Sequence, residues 1–194
     1  MAVKLTDICK AYGANVVLDR FNCRIEESAV TCLMGPSGKG KTTLLRMMLG
    51  LEQPDSGLIS GMDNLRKSAV FQEDRLCENL SAAANIRLVC QKALKTGSII
   101  EAMQAIGLEP DCAKQTARSM SGGQRRRIAI LRALMAEYDI LFMDEPFKGL
   151  DAETKEKVML YTKELNRGKT IVLVTHDIVE AEVMGGRVIN ISSS

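Results

Sequence analysis

The feature that most constrains this chain is a glycine-rich loop between a strand-like run and a helical segment. Residues 29–34 are nearly all apolar and β-leaning, and Thr42–Leu49 has a helical pattern that ends at Gly50. The loop between them matches the pattern G-x-x-x-x-G-K-S/T in full, and it reads Gly35-Pro36-Ser37-Gly38-Lys39-Gly40-Lys41-Thr42. A strand that leads into such a loop and a helix that leaves it indicate an α/β fold.

The composition of this loop suits the binding of phosphate groups. Glycines let the backbone turn tightly, so that successive N–H groups point inward at phosphate oxygens. Lys41 reaches the β- and γ-phosphates, the Thr42 hydroxyl can bind Mg²⁺, and the helix directs its positive end to the same place. The predicted nucleotide-binding residues are Gly35, Pro36, Ser37, Gly38, Lys39, Gly40, Lys41, Thr42 and Thr43.

Two acidic residues follow a second apolar run. Asp144 and Glu145 stand directly after Ile140–Met143. In open α/β sheets ligands bind beyond the carboxyl ends of the strands, which is also where the phosphate loop begins. We therefore predict that Asp144 holds Mg²⁺ and that Glu145 polarises the attacking water. His176, which follows the run Thr170–Val174, is expected at the same edge.

The remaining apolar runs are short and alternate with helical segments, as in a parallel sheet covered on both faces. Before the phosphate loop, Lys4–Cys9 and Val16–Ile25 are β-leaning and are separated by a turn. Residues 81–114 differ in character, and their composition predicts two or three helices broken near Gly97 and at residues 107–110. The predicted architecture is an α/β core with a helical insert.

Charge and hydropathy exclude several classes of protein. The 26 basic and 24 acidic residues nearly balance, which gives no general reason to expect nucleic acid or an anionic membrane as partner. No span approaches the roughly 18–20 apolar residues of a transmembrane helix, so any action at a membrane requires another subunit. The six cysteines are scattered without a Cys-x-x-Cys pair, which favours reduced thiols in a cytoplasmic protein.

A second candidate anion site lies 80 residues after Lys41, where Ser121, Gly122, Gly123 and Gln124 precede an amphipathic helix. A serine and two glycines at a helix start supply a hydroxyl, free N–H groups and the helix dipole. One nucleotide does not need two such cradles in one subunit, but two facing subunits can share them. We name residues 121–124 the signature segment.

With these elements in this order, the sequence resembles the nucleotide-binding subunits of ATP-binding cassette (ABC) transporters over almost its whole length. The resemblance implies that Tyr12 stacks on adenine, that Gln72 senses Mg²⁺ and the attacking water, and that the signature segment closes on the γ-phosphate of the other subunit. It also implies Asp144 as a Mg²⁺ ligand, Glu145 as the general base and His176 as a contact to the γ-phosphate. Residues 149–151 resemble the family's dimer-contacting loop.

The family implies a P-loop NTPase (RecA-like) core with an N-terminal antiparallel β region and an inserted helical subdomain. We expect a single domain over residues 1–194, with a catalytic core at about 1–75 and 137–194 and a helical subdomain at about 76–136. Arg125-Arg126-Arg127 does not form one basic face, because consecutive helical residues point about 100° apart. We interpret this triplet as solvated and partly dimer-facing, with no nucleic-acid partner.

The function that follows from the resemblance is ATP hydrolysis that energises a transporter, with an importer favoured. The implied cofactors are ATP and Mg²⁺. The implied partners are a second identical subunit, transmembrane permease subunits and an extracytoplasmic binding protein, and the implied location is the inner face of the cell membrane.

Two alternatives remain open. A soluble ABC ATPase that remodels a protein complex is favoured by the short segment after Leu76, where relatives usually have more residues. A P-loop kinase of a small metabolite would use Lys41 and Asp144, but it leaves the signature segment and His176 without a role.

Overall fold

The computed structural model describes residues 2–91 and 94–191. The predicted 1–194 domain also includes Met1, Lys92, Ala93 and Ser192–Ser194, which lie outside the described residues. The strands are β1 (Val3–Tyr12), β2 (Asn15–Ile25), β3 (Val30–Met34), β4 (Ser56–Ser60), β5 (Lys67–Val70), β6 (Ile140–Asp144), β7 (Thr170–Val174) and β8 (Arg187–Asn190). The α-helices are α1 (Lys41–Leu49), α2 (Ala82–Arg87), α3 (Thr96–Ala105), α4 (Gly122–Met135), α5 (Ala152–Leu165) and α6 (Ile178–Met184).

A parallel sheet with the strand order β5-β6-β7-β3-β8 forms the centre of the described part of the chain. Every residue of β6 and of β7 is buried, because helices cover both faces of the sheet. Side chains that alternate along a strand point to opposite faces. Phe142 and Val172 accordingly pack with α1, whereas Leu141 and Ile171 pack in the cluster that contains α4 and α5.

The N-terminal strands form a separate antiparallel sheet with the order β2-β1-β4. Val3, Leu5 and Ile8 of β1 are buried in the same cluster as α1. The predicted fold class, an α/β core with an antiparallel β region at its N-terminus, is therefore confirmed.

The described residues between β5 and β6 form helices joined by turns and loops. Besides α2, α3 and α4, the segment includes 3₁₀ turns at Pro110–Lys114 and Ala117–Ser119. The predicted break near Gly97 is wrong by a few residues, because Gly97 is the second residue of α3 and the interruption precedes Thr96. Glycine is tolerated in a first helical turn, where few backbone hydrogen bonds depend on it.

The direction of the strands decides where the candidate functional residues lie. β3, β5, β6 and β7 are parallel, so their carboxyl ends share one edge of the sheet. The phosphate loop leaves β3 at this edge, and Gln72, Glu145 and His176 follow the other three strands. Three segments that are far apart in the sequence therefore meet around the start of α1.

Replacing Phe142 by alanine tests the packing of this sheet. Phe142 is fully buried between β6 and α1, and the substitution is expected to lower the free energy of unfolding by about 3–5 kcal/mol. Urea denaturation measures the change. Leu160→Ala on α5 is the control, since that side chain is 52% exposed and its loss is expected to cost about 0.5 kcal/mol or less. Equal effects of the two variants would contradict the packing.

Candidate active site

The phosphate loop has a backbone that requires glycine at both ends. A Cβ atom on Gly35 would lie 2.4 Å from the carbonyl oxygen of Ile191, and the residue has φ +151. Gly40, with φ 83, is the N-cap of α1 and provides no side chain to cap it. The first N–H groups of α1 are therefore open to an anion.

Lys41 is buried at the mouth of this loop. Its Nζ donates to the carbonyl oxygens of Gly35 and Pro36, at 2.7 Å each. The loop thus folds around the lysine ammonium and holds it at the edge of the sheet. An incoming phosphate can replace these two carbonyls as acceptor.

Asp144, Thr42 and Gln72 meet beside the lysine. The Asp144 carboxylate is 1% exposed and accepts hydrogen bonds from Thr42 and Gln72, with 3.5 Å between Gln72 Nε2 and Asp144 Oδ1. Burial raises the pKa of Asp144, and these two hydrogen bonds oppose that shift. One carboxylate and one hydroxyl beside a phosphate site fit Mg²⁺, which keeps several waters and takes its other ligands from the substrate.

Glu145 is held in a left-handed backbone conformation, with φ 45. Its N–H donates to the carbonyl of Val174 at 2.9 Å, which joins it to the end of β7. Lys148 Nζ lies 2.9 Å from Glu145 Oε2, and His176 Nδ1 lies 3.6 Å from Oε1. Burial alone would raise the pKa of Glu145, but Lys148 and His176 hold it below its usual value. The carboxylate is thus ionised and can accept a proton.

Lys41, Thr42, Gln72 and Glu145 line a cleft of about 410 Å³. Tyr12 forms one wall, where its ring is 49% exposed and its hydroxyl donates to Glu52. A half-exposed aromatic ring that is anchored by its hydroxyl can stack on a base. The predicted site residues that line this cleft are Tyr12, Ser37, Gly38, Gly40, Lys41, Thr42, Thr43, Gln72 and Glu145.

His176 lies on the other side of Glu145, in an adjoining hollow. Its side chain is 66% exposed, whereas the residues next to it are held tightly. Lys155 Nζ lies 2.6 Å from both Asp177 Oδ2 and Glu180 Oε1, and Thr175 donates to Glu180. This network fixes the backbone on both sides of His176, and the exposed imidazole lies 3.6 Å from Glu145 Oε1.

The signature segment begins α4 with a capping box. Ser121 Oγ accepts from the N–H of Gln124 at 3.3 Å, and Gln124 Oε1 accepts from the N–H of Ser121 at 2.9 Å. The hydroxyl proton of Ser121 remains available to an outside acceptor. Gly122 and Gly123 line a second hollow of about 410 Å³ that also contacts Gln72 and Glu145. The Gln124 amide is directed inward, toward Cys112 Sγ at 3.5 Å.

The interpretation of Arg125-Arg126-Arg127 as solvated is wrong for Arg126, which is 6% exposed. It lies four residues before Ile130 and eight before Leu134, on the face of α4 that is buried against the sheet. This helical spacing is the sequence signal that indicates a buried side chain at position 126. Lys148, the counter-ion of Glu145, carried no signal in the sequence, because its role depends on the loop that brings the two side chains together.

Comparisons with known proteins agree with this geometry. A family model described as ABC transporter matches residues 18–148. An aliphatic sulfonates import ATP-binding protein of Paraburkholderia xenovorans is 38% identical over 97% of this chain and 76% of its own length. A sulfate/thiosulfate import ATP-binding protein of Chromobacterium violaceum is 38% identical over 94% of this chain and 54% of its own length.

Solved structures give the same result. A bacterial ABC transporter cassette in dimeric form has a TM-score of 0.84 at 32% identity, and it covers 97% of this chain and 93% of the cassette. A dimeric post-hydrolysis state bound to ADP and phosphate has a TM-score of 0.82 at 32% identity, with the same coverage. The family, the fold and the site geometry therefore coincide, and the chain belongs to the ABC transporter family of ATP-binding proteins.

Proposed function

We propose that this chain is the ATP-hydrolysing subunit of an importer and that it works as a head-to-tail homodimer. The observation that carries this proposal is the division of the site into two parts. Lys41 lines the cleft of the phosphate loop, whereas Gly122 and Gly123 line only the adjoining hollow, and Gln72 and Glu145 line both. A second copy that faces the first would complete each nucleotide site with its own signature segment.

The chemistry rests on positioning and charge. The N–H groups of the phosphate loop and Lys41 hold the β- and γ-phosphates, while Tyr12 orients the base. Glu145 accepts the proton of the attacking water, and its interaction with Lys148 keeps the carboxylate ionised. His176 of the same subunit and Ser121 of the second copy donate hydrogen bonds to the γ-phosphate as its negative charge is redistributed.

Mg²⁺ bound by Thr42, Asp144 and Gln72 would neutralise charge on the β- and γ-phosphates. The Gln72 amide directs its nitrogen toward Asp144. Rotation of the amide by about 180° would place its oxygen on that side, where it could serve as a ligand of Mg²⁺. Gln72 follows β5 and precedes the helical segment, so its position depends on both.

The partners follow from the relatives, whose names describe import ATP-binding proteins for sulfonates, sulfate and spermidine. None of the described helices is long and apolar enough to cross a membrane. We infer that transmembrane permease subunits carry the substrate and that this subunit binds them peripherally on the cytoplasmic side. An extracytoplasmic binding protein would deliver the substrate.

A soluble ATPase that remodels a protein complex is the second candidate. It is favoured by the short connection after Gln72. In this connection the Arg75 guanidinium stacks on the Phe71 ring, and the chain is already buried again at Leu76. Fractionation separates the two candidates. A transporter subunit is expected to sediment with membranes only when its permease is co-expressed, and a soluble remodelling ATPase is expected to stay in the supernatant.

The molar mass of the Glu145→Gln variant in light scattering tests the shared sites. Loss of the base is expected to trap bound ATP, so Mg-ATP should convert the monomer to a dimer. Adding Ser121→Arg should abolish the dimer, because a large cation would occupy the place of the γ-phosphate. A monomer that binds Mg-ATP but does not dimerise would overturn the homodimer.

A further inference from the structure

We propose that Arg126 is the positioning residue that fixes the general base Glu145 and the Gln72 loop relative to each other. This inference rests on the proposed ATPase function and adds a residue to it. Arg126 is on α4, five residues after Ser121, and does not contact the cleft of the phosphate loop. Its role would be exerted through the backbone of two loops.

The first loop held by Arg126 is the one that carries the general base. Its Nη2 donates to the carbonyl oxygens of Glu145 at 2.7 Å and Asp144 at 3.2 Å, and its Nε donates to that of Pro146 at 2.6 Å. Three consecutive carbonyls are thus fixed by one side chain. Glu145 occupies a left-handed conformation, which costs energy for a residue with a Cβ atom and persists only where its surroundings impose it.

The second loop is the one that carries Gln72. Arg126 Nη1 donates to the carbonyl oxygens of Phe71 at 2.5 Å and Gln72 at 3.3 Å, and it lies 3.3 Å from Asp74 Oδ1. The guanidinium therefore bridges the ends of β5 and β6. Its planar array of donors suits this bridge, whereas a lysine ammonium concentrates its donors on one atom.

The position of Arg126 in the helix connects the two loops to the start of α4. α4 begins at the signature segment, and Arg126, its fifth residue, lines the same hollow as Gly122, Gly123, Gln72 and Glu145. A side chain that is 6% exposed and bonded on both sides cannot shift without moving the loops. The placement of Glu145 and Gln72 relative to each other thus depends on where α4 sits.

The test compares Arg126→Gln and Arg126→Lys with a matched arginine variant at the opposite ends of the same strands. Both variants are expected to lower kcat about 100-fold, because small displacements of a catalytic group cost that much. The KM for ATP and the affinity for ATP should stay within about threefold, since the phosphate loop is untouched. Arg66→Gln is the control. Arg66 also joins the chain next to β5 and β6, through Glu137 and Asp139, but at the ends of these strands that lie away from the cleft.

Several outcomes would overturn the proposal. Wild-type kcat in both Arg126 variants would show that the bridge is dispensable. Full recovery with lysine would show that charge alone matters, and a parallel loss of ATP affinity would indicate general damage to the fold.

Hydrogen–deuterium exchange keeps the test decisive if the glutamine variant does not fold. Arg126→Lys should speed exchange at residues 71–75 and 144–150 and leave residues 35–43 unchanged. Absence of ATPase activity in both the wild type and Arg66→Gln would contradict the proposed function instead, and the exchange experiment would still test the bridge.

Discussion

Replacing Glu145 by glutamine is expected to lower the rate of ATP hydrolysis about a thousandfold, within the range that a general base contributes. The amide keeps the size of the side chain but cannot accept the proton of the attacking water. It also loses the charge attraction to Lys148, which lies 2.9 Å from the carboxylate. ATP affinity should remain within a few-fold of the wild-type value, because the phosphate loop does not depend on this residue.

Phosphate release under single-turnover conditions measures this effect, with ATP affinity determined separately. Glu137→Gln is the matched control, since it is the same substitution near the other end of β6, where Glu137 pairs with Arg66 at 2.9 Å on the exposed surface. The control should keep the wild-type rate. Hydrolysis at more than about a tenth of the wild-type rate in Glu145→Gln would assign the base to another residue.

The second large effect is expected from Lys41→Ala, which should weaken ATP binding about 100-fold, or by about 2.7 kcal/mol. The ammonium is buried between the carbonyls of Gly35 and Pro36, at the mouth of the phosphate loop. Its removal leaves the phosphate charge without its nearest cation.

Titration calorimetry with Mg-ATP measures this loss. Lys67→Ala is the control, because Lys67 likewise donates to a backbone carbonyl, that of Met48 at 3.0 Å near the other end of α1. It removes the same charge and side chain from the protein but lies away from the phosphate loop. ATP affinity in Lys41→Ala equal to that of Lys67→Ala would contradict the assigned site.

Much of the fold was readable in the sequence because its signals are local. The predicted strand Thr170–Val174 agrees with the structure at both ends, and most other strands and helices agree within one or a few residues. Apolar runs of four or five residues define the buried parallel strands, and Gly50 ends α1 where a glycine was expected. The placement of Gly97 shows the limit, because glycine also occurs in first helical turns.

The sequence by itself determined the phosphate loop, the two acids at the end of β6 and the signature segment, because each requires a particular residue type at a short spacing. Tertiary structure alone decided which carbonyl oxygens surround Arg126 and that Lys148 pairs with Glu145. Arg126 contacts residues up to 55 positions away, and its role arises only where α4 packs against the ends of β5 and β6. A guanidinium can be buried there because folding brings enough carbonyl oxygens around it to satisfy its donors.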